Sequence, residues 1–383
     1  MPGIWQERLL NGPPLTGAIL PAKADLVVVG SGIVGLFTAL HYKRSHPAHR
    51  VVVLERGKGP DGASVRNAGF ACFGSPSELL ADMEKEGEEA ALTRVEERWR
   101  GLLELRHELG DERIGFQETG GYELFGTADP LYTKVAERFD RLNMNLRGIF
   151  GRQVYEWRDG LKGELALNTG HLAFTGLEGP IHTARMMKAL LQKTEQSGVE
   201  VVFAADVSKV EDEQSHATVT LRDEKRIRSA NAVIATNGYA KDLVPGIDVV
   251  PARGQVVLTG PVGGLKLRGT FHANEGYYYF RDFEGGVLLG GGRHLDPIGE
   301  TTTEDAVTGP IQADLERMLR EVILPDKPFT IAHRWSGVMG FRSKSKTPLV
   351  EHITPRVVVA AGLSGMGVAI GIRVARKAAQ LLA

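Results

Sequence analysis

Asp25-Leu26-Val27-Val28-Val29-Gly30-Ser31-Gly32-Ile33-Val34-Gly35 is the stretch that decides the fold. An apolar run of strand length ends in glycine, and the dense apolar stretch from Ile33 to about Lys43 reads as a helix. Between them stands G-x-G-x-x-G, whose backbone N–H groups and helix N-terminus can face a pyrophosphate. After a break at Pro47, Arg50-Val51-Val52-Val53-Leu54-Glu55 is a second strand ending 20 residues beyond Gly35. A carboxylate placed there accepts hydrogen bonds from ribose hydroxyls and repels a 2′-phosphate. The alternative, a glycine turn beside a solvated glutamate, does not account for strand, turn, helix and strand within 31 residues.

Outside this unit, residues 1–22 read as an irregular N-terminal extension with Trp5 and a Pro13-Pro14 pair. Helices are predicted at 88–109 (its charges facing water), 131–147, 180–197 (Pro180 in the first turn), 311–323 and 367–382. Strands are predicted at 199–205, 217–222, 232–236, 253–259, 277–281, 287–290 and 356–361, with 282–286 turning a hairpin. The fold class is α/β: a Rossmann-like nucleotide domain built from discontinuous segments, plus a β-sheet-rich α+β domain. The expected division gives 23–90, 165–245 and 330–383 to the first, and 91–164 and 246–329 to the second.

The chain of 383 residues is 42% hydrophobic and 24% charged, the composition of a globular protein with a sizeable core. Forty-six basic against 47 acidic side chains leave no field to hold nucleic acid or an anionic membrane. Cys72 is the one cysteine, which excludes an intramolecular disulfide and a Cys-rich zinc site and suits a reducing cytoplasm. No run of about 18 apolar residues exists, and MPGIWQERLLNGPP lacks the basic cap and apolar block of a signal peptide, so a cytoplasmic chain without transmembrane segment or metal is expected.

Three further stretches carry chemistry. Gly62-Ala63-Ser64-Val65-Arg66-Asn67-Ala68-Gly69-Phe70 is rich in small, backbone-hugging residues; Ala235-Thr236-Asn237-Gly238-Tyr239 closes a strand; Gly362-Leu363-Ser364-Gly365-Met366-Gly367 precedes the last helix. With these motifs in this order, the chain from Asp25 onward resembles flavoproteins of the D-amino-acid oxidase superfamily, the group holding glycine oxidase, sarcosine oxidase and D-amino-acid dehydrogenase. The resemblance makes the first domain FAD-binding and implies a cofactor set of Gly30, Ser31, Gly32, Ile33, Val34, Gly35, Glu55, Arg56, Ala63, Ser64, Arg66, Asn67, Ala68, Gly69, Phe70, Val207, Thr236, Asn237, Gly238, Gly362, Leu363, Ser364, Gly365, Met366 and Gly367. Of these, the turn 362–367 has an independent rationale: reduced flavin gains negative charge that amides at a helix N-terminus stabilise.

On the first hairpin arm Tyr277, Tyr279 and Arg281 share one face, and Tyr278 and Phe280 the other. Tyr277, Tyr279, Arg281, Trp335 and Met339 are the candidate pocket residues, with Arg293 and His294 near enough to reach the same cavity. Departures from the resembling enzymes matter. Met339 stands where the amino-acid oxidases carry an arginine for the substrate carboxylate, and Arg342, three positions on, is either its replacement or part of a solvated basic loop at 342–346. Leu288 replaces the lysine that assists oxygen use in sarcosine oxidase-like enzymes, and the cysteine that attaches their flavin is missing, so FAD is expected to be noncovalent. The expected reaction is oxidation of a C–N bond in a small amine or amino acid, with oxygen or an electron carrier as acceptor. The alternatives are a same-fold dehydrogenase serving a quinone or carrier, a nicotinamide-dependent dehydrogenase, and a flavin-binding protein without turnover.

Overall fold

Two eight-stranded sheets organise the chain, which a computed structural model describes over residues 3–10 and 17–382. In the first sheet Lys23–Val29 lies between Val51–Leu54 and Arg226–Ile234, with Glu200–Val202 and Val357–Ala361 outside them, all parallel. Val27, Val28, Val52 and Val53 are wholly buried, as continuous apolar strands require when both faces are covered. The helices Ile33–Ser45, Thr183–Gln196 and Gly367–Gln380 cover one face. On the other, Val27, Val29, Val52 and Leu54 meet Val207, Val219 and Ile227 of an antiparallel extension.

The second sheet runs in the order Ile331–Phe341, Val250–Thr259, Gly286–Gly291, Tyr278–Phe283, Thr270–Ala273, Gly121–Phe125, His171–Thr175 and Glu156–Trp157, antiparallel except where Thr270–Ala273 lies along Gly121–Phe125. Val257, Phe271, Phe280, Val287 and Leu289 bury one face against the helix Gly309–Met318. Val256, Leu258 and Leu288 turn the other way, into the core shared with Ile33 and Val34. The two sheets therefore face each other across a seam.

Several expectations are corrected. Residues 4–10 are not irregular: Ile4–Leu10 is a helix, and Trp5 is wholly buried, its Nε1 donating to Asn67 O at 2.6 Å and its ring edge-on to Phe283. The Pro13-Pro14 pair lies outside the described residues. Pro180 does not open the third helix; it pairs as a strand residue with Phe70, and Thr183–Gln196 starts behind an N-cap at His182, whose Nδ1 accepts from Arg185 N. The charges of Glu88–Leu109 do not all face water: Arg94 forks onto Asp82 and Glu86, and Arg98 reaches Glu78 and Phe73 O, because the helix Pro76–Glu86 packs its acids against them. The hairpin turn is tighter than 282–286, since Phe283 pairs with Gly286 and only Glu284 and Gly285 turn, both at positive φ (50° and 78°), the conformation two-residue hairpins need. Nine strands carried no reading of their own, five of them in the second sheet: Gly121–Phe125, Glu156–Trp157, His171–Thr175, Thr270–Ala273 and Ile331–Phe341. Residues 171–175 and 331–341 thus join that sheet and not the first, while Glu88–Leu109 packs on the C-terminal helix.

Candidate active site

A cavity of about 490 Å³, within the ~300–1,000 Å³ of small-molecule sites, opens where the first sheet's parallel strands end and the second sheet begins. Gly30 to Val34, Glu55, Thr236 and 363–369 line one wall; Gly254, Tyr277, Tyr279, Gly291, Val338, Met339 and Phe341 line the other. The fingerprint and the C-terminal turn, more than 300 residues apart, thus border one space.

The backbone makes the first wall. Gly30 sits at φ +106°, and a Cβ there would come within 2.8 Å of Ala235 O. Gly35 lies so close to Gly30 O that a Cβ has no room, which sets the helix against the strand. Ile33–Ser45 has Gly32 as N-cap, no acid in its first turn and only Ile33 N taken up, by Ser64 Oγ at 3.0 Å, and Gly367–Gln380 starts at Met366 with no cap from that side chain. Two helix N-termini therefore converge on one cavity, a donor arrangement that suits an anionic ligand. The Thr236 hydroxyl is also buried, without a hydrogen-bond partner among the described residues. Glu55 is 6% exposed; its carboxylate accepts from Ser31 N at 3.1 Å, Ser31 Oγ at 2.6 Å and Gly57 N at 2.9 Å. Those contacts leave a carboxylate acceptor capacity on the cavity side. Asn237 holds the walls in register, its Oδ1 accepting from Gly362 N at 3.1 Å. Taken together, the donors, the glycine cradle and the acidic strand end fit a dinucleotide flavin.

Of the expected cofactor residues, Gly35, Gly69, Gly238 and Gly362 do not line the cavity and sit in the backbone packing behind it; the other twenty-one line it. Asn67 mainly organises its own loop, donating to Ala63 O and Ser64 O and accepting from Gly69 N and Thr183 Oγ1. Arg66 ties that loop to Asp61, Asp305 and Ser336 O.

On the second wall Tyr277, Tyr279 and Met339 line the cavity, whereas Arg281 and Trp335 do not. Arg281 is buried and donates to Gly69 O at 3.0 Å and Ile181 O at 2.7 Å; burial without a carboxylate partner pulls its pKa down to about 10. Its place on the hairpin face is as expected, but it reaches past the cavity to clamp the loop 69–70 region. Trp335 donates from Nε1 to Arg66 O at 3.0 Å beneath Gly3. Tyr279 fits because it crosses Gly290, where a Cβ would meet its ring. Burial pushes the Tyr279 hydroxyl up to about 12, so it is a proton donor and no base at neutral pH. Arg342 pairs with Asp248 off the cavity, and His294 also lies off it. Lys346 is the basic-loop residue that enters: its Nζ meets Asp82 at 2.7 Å and Glu78 at 3.1 Å.

Sequence reasoning passed over Glu78, Asp82, His272, Glu275 and Phe341, all of which line the cavity. They come from three separated segments, and no spacing pattern links them. Burial lowers His272 to about 4 and leaves it neutral, with Nε2 unpartnered among the described residues. Cys72 borders the cavity, and burial pushes its thiol well up, away from the reactive thiolate. Among the described residues no cluster of metal ligands occurs, and no helix is long and apolar enough to cross a membrane.

Comparisons with known proteins agree with this geometry. The fold is similar to that of glycine oxidase from Geobacillus kaustophilus (TM-score 0.73, 21% identity, 94% of this chain and 95% of that one). It is similar to L-proline dehydrogenase from P. horikoshii (TM-score 0.73, 21% identity, 94% of both chains) and to L-amino acid deaminase from Proteus vulgaris (TM-score 0.72, 19% identity, 98% and 95%). In sequence it is 24% identical over 245 residues to the bifunctional protein ThiO/ThiG of Synechocystis sp., a match spanning 64% of this chain and about a third (34%) of that protein. Residues 25–381 match the family model DAO, described as FAD dependent oxidoreductase, and the chain is a member of that family of flavin-dependent enzymes.

Proposed function

We propose that this oxidoreductase oxidises the C–N bond of a small amine or amino acid, with FAD held noncovalently by the cofactor residues that line the cavity. The observation that carries the reading is the continuity of the cavity, which puts an anion-binding, glycine-built end in the same space as an aromatic, tyrosine-bearing end. Glycine oxidase, L-proline dehydrogenase and L-amino acid deaminase, named above as similar in fold, support an amino-type substrate.

Bound FAD would supply the hydride acceptor for the carbon beside the substrate nitrogen, and the resulting imine is hydrolysed by water to a carbonyl and an amine. The chain's own part is to bind, orient and desolvate. The N-terminal ends of Ile33–Ser45 and Gly367–Gln380 would take the negative charge of the pyrophosphate and of the reduced ring. Glu55 would hold the ribose. Tyr279 and Met339, flanking Gly254, give an apolar surround that lowers the pKa of a substrate amine and so favours the neutral form able to lose hydride. Hydride loss from a neutral amine needs no side-chain base, and the groups facing the cavity suit that: the Tyr279 hydroxyl keeps its proton and His272, held to about 4, is a weak proton acceptor.

A specific observation favours a carrier over oxygen as acceptor. Leu288, at the place the resemblance gives to an oxygen-assisting lysine, is wholly buried in the apolar core, so no positive charge stands there to attract the superoxide-like charge of oxygen reduction. The experiment is anaerobic bleaching of the yellow purified protein by a panel of amino acids, N-methyl amino acids and polyamines, followed by air and then by a quinone. Bleaching by at least one amine is expected, with faster return of colour under quinone; a preparation that no amine bleaches disproves the reading. Acid precipitation should leave the flavin in the supernatant.

A further inference from the structure

We infer that Arg293 anchors a carboxylate on the substrate, so that the amine oxidised in this cavity is an amino acid; this rests on the amine-oxidising reading above. Met339 removes the arginine that the resemblance would place on the strand Ile331–Phe341. The cavity nevertheless holds an unused guanidinium, carried by the end of the second hairpin arm. Of its other lining cations, Arg66 pairs with Asp61 and Asp305, Arg222 with Asp206, and Lys346 with Glu78 and Asp82, while Arg56, 4.0 Å over the Tyr239 ring, follows Glu55 at the far, cofactor end and feels the charges of Glu55 and Asp61. Lys85 stands exposed at the rim. Arg293 is half-buried and, among the described residues, has neither a carboxylate partner nor a hydrogen-bond acceptor for its side chain.

Its position is nonetheless fixed. The guanidinium carbon lies 4.4 Å from the Phe341 ring centre and 5.3 Å from that of Tyr277. Stacking on aromatic rings holds the plane and leaves the N–H groups at its edge free, five donors in a rigid fork. A pair of coplanar oxygens is the group this fork lacks. Tyr279, whose hydroxyl feels the Arg293 charge, and Met339 lie on the same wall, so an acid group at Arg293 puts the neighbouring C–N bond in the apolar part of the cavity. Leu288 and Arg293 then divide the arm: one apolar residue within the sheet, one cation at its end.

The test compares matched pairs with and without the carboxylate in anaerobic reduction of the flavin-loaded enzyme: alanine (each enantiomer) and ethylamine, N-methylglycine and dimethylamine, proline and pyrrolidine. A charge-assisted pair of hydrogen bonds corresponds to a preference of about 10- to 150-fold, and the parent should favour the carboxylate member of at least one pair by that much. Arg293→Met, which keeps an unbranched apolar body between the rings, should lose at least about tenfold of this preference through weaker binding, with the bare amines changed less than about threefold; Arg293→Lys should recover part. Equal use of both members by the parent, or an Arg293→Met variant that keeps the preference or slows both members alike while retaining FAD, overturns the inference and leaves amine oxidation standing. Absence of bleaching by every member overturns both.

Discussion

The two walls of the cavity are built on different principles. The first is made of turns between consecutive elements: strand, glycine turn, helix at 23–45, and strand, glycine turn, helix at 357–380. Its polar groups are mostly backbone amides, and its carboxylate, Glu55, is already ordered by Ser31 and Gly57. The second wall is made of side chains brought together across a sheet from residues 254, 272, 277, 279, 293 and 339. Among the described residues its Arg293 guanidinium has no carboxylate partner and its His272 Nε2 no hydrogen-bond partner. One wall is preorganised for a fixed ligand; the other keeps open valences for a ligand that comes and goes.

The largest expected effect tests whether the first wall stands by itself. Trp5 lies in the seam, bonded to Asn67 O and edge-on to Phe283 of the second sheet and to His182. Trp5→Ala should destabilise the protein by about 3–5 kcal/mol and lower FAD occupancy, measured by chemical denaturation and by the ratio of flavin to protein absorbance. An unchanged variant would mean that the loop at 63–70 needs no support from the N-terminal helix. Next is Glu55→Ala, which removes charge-assisted hydrogen bonds of about 1.5–3 kcal/mol and should raise the FAD dissociation constant by about tenfold or more, read by equilibrium dialysis. If the variant retains FAD like the parent, the ribose assignment is wrong.

The same contrast explains what could be read from the sequence. The first wall was legible because its residues are close in the chain and their types are dictated by backbone geometry: Gly30 by positive φ, Gly35 by contact with Gly30 O. The second was legible only where alternation along one hairpin arm sorted Tyr279 from Tyr278. Alternation gives the face and not the reach, so Arg281, on the right face, ends on the carbonyls of Gly69 and Ile181. Lys346 reads as a solvated loop charge because its partners, Glu78 and Asp82, lie on a helix over 260 residues earlier. Arg94 and Arg98 mislead for the same reason, their acids being on a different helix. Trp5 is stranded in an unpatterned stretch too short to show helical periodicity.

A smaller effect sharpens the second wall. Among the described residues the Tyr279 hydroxyl has no hydrogen-bond partner, so Tyr279→Phe leaves folding intact and removes a donor available to substrate. Loss of a neutral hydrogen bond is about 0.5–1.5 kcal/mol, so substrate binding should weaken by about two- to tenfold with FAD retention unchanged. A large loss of FAD instead would show that the two walls are not separable at this residue.

The smallest effect concerns the joint between the walls, where two buried acids hold the loop after Phe70. Glu178 Oε1 accepts from Phe73 N at 2.8 Å, and Glu123 accepts from Ser75 Oγ and Ser77 N, both at 2.9 Å. Burial raises Glu178 to about 8 and Glu123 to about 7, against an ordinary value near ~4.3, so in the folded protein both hold a proton that the unfolded chain has already released. The folded state then binds more protons than the unfolded one, and stability falls as pH rises toward the folded values and levels off above them. Between pH ~6.5 and ~8.5, above the range of the depressed His272 and His41, the thermal midpoint should therefore decline. Glu178→Gln keeps an oxygen acceptor for Phe73 N but cannot ionise, so its midpoint should fall less steeply over that interval, the residual slope belonging to Glu123. A Glu178→Gln variant as pH-sensitive as the parent would mean that the joint is wetter than its packing indicates, and that the carboxylates there are already charged at neutral pH.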